Sequence, residues 1–336
     1  MKVPATVWAL GVVSLLMDLS SELVHSLLPI FMVTVLGASM AAVGVVEGIA
    51  EATASIVKLF SGAISDRLGR RKPIVVIGYG LAALSKPLFP LAASVPLVLA
   101  ARFMDRVGKG IRGAPRDALI ADVTPEGARG AAYGLRQALD TAGAVLGPLA
   151  AIGLMLLLAS DVRGVLWCAT VPAVLSVLVL VVFVKEPQGR TAPLARFALG
   201  SFTKLGKACW TVVALGAVLT LARFSEAFLV LRAQELGLAL AVVPIVLVVM
   251  NVAYTAIAYP AGLAADRGRR KALLVWGLVS LIAADLVIAR TSSVTVLFVG
   301  IALWGVHMGL TQGLLATWWP TPRRRGCAAR LSACST

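Results

Sequence analysis

The sequence predicts an all-α protein that crosses a membrane many times, with six helices in a first bundle and four in a second. Three observations predict it. Of 336 residues, 59% are apolar and only 14% charged, at a mean hydropathy of +0.93, whereas a soluble domain carries about 25% charge. Ten apolar runs reach the roughly 20 residues that a bilayer requires. The string Gly62-Ala63-Ile64-Ser65-Asp66-Arg67-Leu68-Gly69-Arg70-Arg71-Lys72 returns, one residue shorter, as Gly262-Leu263-Ala264-Ala265-Asp266-Arg267-Gly268-Arg269-Arg270-Lys271. A repeat of that kind marks two parallel halves.

In chain order the runs lie near 6–34, 39–63, 73–93, 95–115, 130–158, 163–184, 209–231, 238–261, 272–290 and 294–317. Span 1 follows Met1-Lys2-Val3 like a signal peptide. It is too long for one, carries Asp18 and Glu22, and has no small-residue cleavage site, so it reads as a retained span. Residues 185–208, with two prolines, three glycines and five cations, form the long polar stretch between spans. It reads as a cytoplasmic linker between a first bundle (1–184) and a second (209–317), followed by a basic tail (318–336).

The net charge of +15 would point a soluble protein towards nucleic acid, but its placement removes that reading. Arg67, Arg70, Arg71 and Lys72 follow span 2; Arg112, Arg116 and Arg129 surround the join of spans 4 and 5; Lys185, Arg190, Arg196, Lys204 and Lys207 follow span 6; Arg267, Arg269, Arg270 and Lys271 follow span 8. The loops after odd-numbered spans carry few charges. Positive loops stay in the cytoplasm, so the N-terminus is expected there. Cys168, Cys209, Cys327 and Cys334 form no CxxC or His-Cys cluster; neither a metal, a cofactor nor a disulfide frame is expected.

An ionisable group at mid-bilayer costs about 2.5–3.5 kcal/mol, so such groups face one another or a cavity. Span 1 carries Asp18, Glu22 and His25 at spacings that share one helical face. Span 2 carries Glu47, Glu51 and Lys58; span 4 Arg102, Asp105, Arg106 and Lys109; span 5 Gln137 and Asp140; span 7 Arg223, Glu226 and Arg232; span 10 His307 and Gln312. The functional reading is that Asp18 or Glu22, with Asp105 or Asp140 as alternatives, alternately binds and releases a proton. The competing reading is a fixed ion pair, Asp105 or Glu22 against Arg102 or Arg106. His25 is expected to pair with Glu22 or Asp18, His307 to be a packing histidine, and Glu226 either to complete the cavity from the second half or to pair with Arg223 within one helix. An enzyme is the weakest reading, since Ser26 beside His25 turns to another helical face.

Both repeated loops resemble the signature loops of the major facilitator superfamily, and the likeness runs over about residues 6 to 317. Arg106-Val107-Gly108-Lys109-Gly110 is similar to the family's Arg-x-x-x-Gly element, with Lys109 where glutamine is often found. Gly143-Ala144-Val145-Leu146-Gly147-Pro148 resembles the start of the antiporter signature, although Ala150-Ala151 stand where a Gly-Gly pair is usual. The string from Arg102 to Asp117 is similar to a prokaryotic branch that supplies no substrate, and the likeness implies a bacterial or archaeal inner membrane. The resemblance implies six plus six spans around a central cavity and alternating access, with the signature loops acting as gates. In that role Gly62 and Gly262 allow close helix approach, Asp66 and Asp266 favour a nearby helix N-terminus, and Arg67, Gly69, Arg70, Arg71, Arg267 and Arg270 complete the loops. Gly143, Gly147 and Pro148 would let span 5 bend and pack. The implied activity is proton-coupled efflux of a small solute by a monomer, with an amphiphilic or cationic solute favoured; uptake symport and a non-transporting ten-helix remnant are the alternatives.

The remnant reading arises from the tail. Beyond Thr317 the chain reads Trp318-Trp319-Pro320-Thr321-Pro322-Arg323-Arg324-Arg325-Gly326-Cys327, unlike anything before it. Back-translated with free wobble positions and shifted by one nucleotide, it permits a sequence like that of 119–135. The expectation is a one-nucleotide loss after the codon for Thr317 that replaced two further spans. A natural ten-span protein with a basic tail is the alternative.

Overall fold

The computed structural model describes residues 3–68, 70–186 and 223–318, with side chains left aside at Leu59, Ala63, Asp66, Arg67, Asp266, Arg270 and 312–318. The linker from 187, the first part of span 7, Gly69 and the tail lie outside the described residues. The helices are α1 (Ala5–Ile30), α2 (Met40–Leu68), α3 (Lys72–Ser85), α4 (Leu88–Leu91), α5 (Val95–Val123), α6 (Arg129–Leu157), α7 (Val162–Cys168), α8 (Thr170–Phe183), α9 (Glu226–Glu235), α10 (Ile245–Asp266), α11 (Arg270–Arg290) and α12 (Val294–Trp318). The fold is all-α, as the apolar runs require.

Prolines set the interruptions. Pro29 has no N–H for the helix ladder, and α1 widens after it into a π-turn over Phe31–Val35, where the Leu36 N–H reaches the Phe31 carbonyl. Pro87 and Pro90 divide span 3 into α3 and α4. Pro172, which cannot bond to the Cys168 carbonyl, marks the division of span 6 into α7 and α8.

Two boundaries differ from expectation. Helix α5 runs to Val123, eight residues past the end of its apolar run at 115, because the charged side chains in that extension find partners. Helix α2 continues to Leu68 through Asp66 and Arg67, so the repeated motif is a last helical turn plus a short link. Eight helices among the described residues are long and apolar enough to cross a membrane. Helix α5 has the length and carries more charge than any of them, and α9 is the described end of span 7.

In the first half α1 packs on α6 and α8, α2 on α5, and α3 on α5 and α8; in the second, α12 packs on both α10 and α11. One apolar cluster draws from both halves, joining Leu27, Phe31, Val43, Phe89 and Val98 to Val230, Leu247, Leu297 and Trp304. The other, around Leu10, Met17, Tyr79, Leu119 and Leu180, takes all its members from the first half. The halves are therefore cemented at the end that carries 30–43 and 88–98, and among the described residues no shared cluster joins them at the end that carries the signature loops.

The second motif shows why its glycine is needed. Gly268 has φ +82°, and the N–H groups of Gly268 and Arg269 bond to the carbonyls of Ala265 and Ala264 at 3.1 Å each, a left-handed cap on α10. Gly268→Ala should lower stability by about 1 kcal/mol, because a Cβ disfavours that conformation. Gly262 lies inside α10, and a Cβ added there would meet nothing within 4 Å among the described residues, so Gly262→Ala should be neutral or stabilising. Thermal denaturation of the two purified variants checks the contrast.

Candidate functional site

Helix α5 places a cation or an acid on nearly every interior turn, and each neighbouring helix answers it. Arg102, 1% exposed, donates to Glu47 Oε2 of α2 at 2.8 Å and to His25 Nδ1 of α1 at 2.7 Å. Asp105 accepts from Lys86 Nζ of α3 at 2.8 Å, and the same ammonium reaches Ser21 Oγ at 3.0 Å. Arg106 lies 3.3 Å from Glu51 and 3.7 Å from Asp105. Arg112 stacks on the Tyr79 ring at 4.6 Å and faces Asp18 at 3.8 Å. Arg116 donates to Ser14 Oγ at 2.9 Å and lies 3.9 Å from Asp140, which is held more tightly by Arg136 at 2.6 Å.

These helices come close because small residues let them. A Cβ on Gly143 would sit 2.7 Å from the Leu15 carbonyl and 3.0 Å from Asp18 Cβ; one on Gly147 would sit 2.6 Å from Glu22 Cβ and 2.9 Å from the Leu19 carbonyl. The two glycines of α6 thus seat the acidic stripe of α1. Gly78 of α3 and Gly108 of α5 meet in the same way, since a Cβ on either would lie within 3.0 Å of the other's carbonyl. Pro148 lies buried inside α6, which stays helical through it.

Asp18, Glu22 and His25 do share a face, but their partners are not those expected. His25 pairs with neither Glu22 nor Asp18; it lies against Arg102, 4.0 Å from Glu47 and 3.7 Å from Glu226. A guanidinium can only donate, so Nδ1 accepts, and the neutral ring carries its proton on Nε2, which faces Glu226 Oε2. That contact joins the two halves. Glu226 is the first residue of α9, capped by Ser225, so Arg223 precedes the helix and stacks on Trp304 at 5.3 Å. Asp105 is a fixed pair, with Lys86 as its principal partner. His307 is buried and bonds through Nδ1 to the Gly277 carbonyl at 2.8 Å, as a packing histidine does.

The signature loops are tied down differently from expectation. The backbone N–H groups of Arg71 and Lys72, at the start of α3, donate to the Glu186 carboxylate beyond α8, and Arg71 Nε meets Asp122 of α5 at 2.8 Å. The acid at this helix N-terminus is therefore Glu186. At Gly62 of α2 an added Cβ would make an ordinary 3.4 Å contact with Ala114 of α5, and at Gly262 it would meet nothing among the described residues. Arg70 and Arg267 are exposed, while Gly69 and the side chains of Asp66, Arg67, Asp266 and Arg270 lie outside the described residues.

Glu47, Lys86, Arg136 and Glu186 carry much of this network, and helical spacing within one span does not single them out as site residues. Lys86 does carry a signal in the sequence, a lysine deep in an apolar run beside Pro87.

A family model described as Major Facilitator Superfamily matches residues 10–320. The chain belongs to this superfamily. An uncharacterized MFS-type transporter of Methanocaldococcus jannaschii is 33% identical over 318 residues, covering 91% of this chain and 78% of the relative. The multidrug resistance protein MdtH of Edwardsiella ictaluri is 32% identical over 163 residues, covering 48% of this chain and 40% of MdtH. Among solved structures of the superfamily, a bacterial homologue of the lysosomal transporter Spinster, inward-facing and unoccupied, has a TM-score of 0.69 at 19% identity, covering 98% of this chain and 77% of that one. The nucleoside transporter NupG has a TM-score of 0.74 at 12% identity, covering 94% and 85%. These likenesses show the fold.

Removing one member of a buried pair strands the other charge. Lys86→Met should cost about 3–5 kcal/mol, and adding Asp105→Leu should restore most of it; melting temperatures of the single and double variants give the comparison. Gly147→Ala should destabilise by about 1–3 kcal/mol by pressing α6 off α1, whereas Gly153→Ala, with open space around it, should not.

Proposed function

We propose that this protein exports a small solute by alternating access, in exchange for protons, from a prokaryotic cytoplasm across the inner membrane. The observation that carries the reading is an ionisable contact between halves: His25 of α1, held by Arg102 and Glu47, faces Glu226 of α9 across the interface. A histidine titrates near neutral pH and a carboxylate beside it changes its charge with access to water, so this layer can couple protonation to rocking of one half on the other. Asp18 and Glu22, next along the same face, are the proposed proton carriers. Asp140 remains the alternative, since Asp105 is locked against Lys86.

The gating role goes to the signature loops, from Gly62 to Arg71 and from Gly262 to Arg270, and the cationic loops set the N-terminus in the cytoplasm. The half-length likeness to MdtH, named for multidrug resistance, supports export, while the fold shared with a D-xylose-proton symporter, at 16% identity and a TM-score of 0.64, keeps uptake as the second reading.

Proton flux in everted vesicles, driven by a panel of candidate solutes, tests the reading. Solute-dependent proton release should fall to background in Asp18→Asn with Glu22→Gln while membrane insertion is unchanged. Full activity in that double variant would remove both residues from coupling. A wild-type chain that inserts and moves nothing would be the non-transporting remnant.

A further inference from the structure

Among the described arginines that are not exposed, Arg223 stands apart. Each of the others has a carboxylate within 4.0 Å or, for Arg163, a carbonyl at 3.2 Å. Arg223 has neither among the described residues; its guanidinium lies over the Trp304 ring, 5.3 Å from the centroid. Glu226, three residues on, turns to His25 instead.

The ring beneath the guanidinium has an unmet group of its own. Trp304 is 1% exposed, and its Nε1–H has no acceptor among the described residues. His307, one turn further along α12 and equally buried, is fastened to α11 through Nδ1, which donates to the Gly277 carbonyl at 2.8 Å. A carbonyl only accepts, so Nδ1 holds the proton of the neutral ring and Nε2 is a bare acceptor. It too is buried with no partner. Buried polar atoms are nearly always matched, and two of them on successive turns, beside a guanidinium with no counter-ion, point to a common ligand.

Contact and spacing bring the three groups together. Arg223 stacks on Trp304, residues three apart on a helix have Cβ atoms about 5–6 Å apart, and the Arg223 charge is felt at His307. The place is the join of the halves: the charges of Glu226 and of Glu51 in α2 both reach Arg223, and Trp304 packs with Phe224, at 5.8 Å between ring centroids, in the apolar cluster that both halves share. Trp304 is ~15 Å along α12 at 1.5 Å per residue, midway through a hydrocarbon core of ~30 Å, the level at which transporters built from two repeats hold their solutes.

We propose that Arg223, Trp304 and His307 bind a carboxylate with a hydrogen-bond donor, a hydroxyl or an amine, on the adjacent carbon, as the head of the transported solute. The guanidinium supplies charge and N–H donors to the carboxylate, the indole N–H supplies one donor more, and the bare imidazole nitrogen accepts from the neighbouring hydroxyl or amine. Arg223 is half-buried and forms the open edge of the site. The site rests on the transport reading and narrows its substrate class, away from simple cations, which the guanidinium repels.

Calorimetry on the purified chain, with mandelate, phenylacetate and benzyltrimethylammonium as probes, tests it. Mandelate should bind saturably, phenylacetate about fivefold more weakly for want of the hydroxyl, and benzyltrimethylammonium not at all. Arg223→Gln should weaken both acids by about tenfold, and Trp304→Phe, which keeps a ring, by about fivefold. His307→Asn retains a donor for the Gly277 carbonyl and lacks the Nε2 acceptor. It should lower mandelate to the level of phenylacetate and leave phenylacetate unchanged, a contrast that also shows the variant to be folded. No binding of either acid by the wild type, or mandelate binding that Arg223→Gln and Trp304→Phe leave unchanged, overturns the site, with buried water alone meeting the two α12 atoms. Equal binding of the two acids by the wild type overturns the part given to His307. Vesicle flux separates the site from the reading on which it rests. Acid binding that depends on Arg223, without flux of any solute, sustains the site and defeats transport, whereas flux of a cationic solute that Arg223→Gln leaves unchanged does the reverse.

Discussion

The neutralisation of α5 is the constraint on which the first half depends. A helix bearing Arg102, Asp105, Arg106, Lys109, Arg112, Arg116 and Asp117 cannot sit in hydrocarbon unless its neighbours supply opposite charges. Glu47 and Glu51 come from α2, Lys86 from α3, Asp18 from α1 and Asp140 from α6, each at the level of the group that it offsets. The order of helices around α5 follows from that matching. Once α2 and α3 are fixed by buried pairs, their glycine crossings bring backbones near enough for the pairs to close at 2.8 Å.

What is legible in the sequence is local. Apolar runs mark the spans, and a spacing of four and three puts Asp18, Glu22 and His25 on one face. The duplicated Gly-x-x-x-Asp-Arg string points to the family. What is not legible is the pairing between elements: helical spacing matches His25 with acids of its own helix because it is visible in one dimension, whereas Arg102, Glu47 and Glu226 come from three other helices. An apolar run ends α5 too early for the same reason, since Arg112, Arg116 and Asp122 look like loop charges until Asp18, Ser14 and Arg71 are seen beside them. Glu186, lying next to the polar linker, carries no sign that it caps α3 more than a hundred positions earlier.

Close packing divides the half into parts that stay together. Gly143 and Gly147 seat α1 on α6 with no space for a methyl group, and Gly78 with Gly108 does the same for α3 and α5. Interfaces of that kind shift between discrete arrangements instead of deforming smoothly. The end of α8 joins the same unit through Glu186 and the start of α3, so the first signature loop is tied to two helices of its own bundle before any contact with the second.

The contacts between halves are of another strength. Lys86–Asp105 and Arg102–Glu47 are 2.8 Å long and almost fully buried, while His25–Glu226 is 3.7 Å long with Glu226 26% exposed. A pair of the first kind strands a charge when broken and so resists opening; a longer, wetter pair exchanges its partner for water at small cost. Among the described residues the shared apolar cluster holds the halves at one end, and Asn251 of α10 adds a hydrogen bond to the Ala144 carbonyl of α6 at 3.4 Å; a rotation that opened that end would break the His25–Glu226 contact and leave the α5 pairs intact. The strong pairs therefore hold the first half together, and the longer contacts between halves are the ones that a rocking motion would break first.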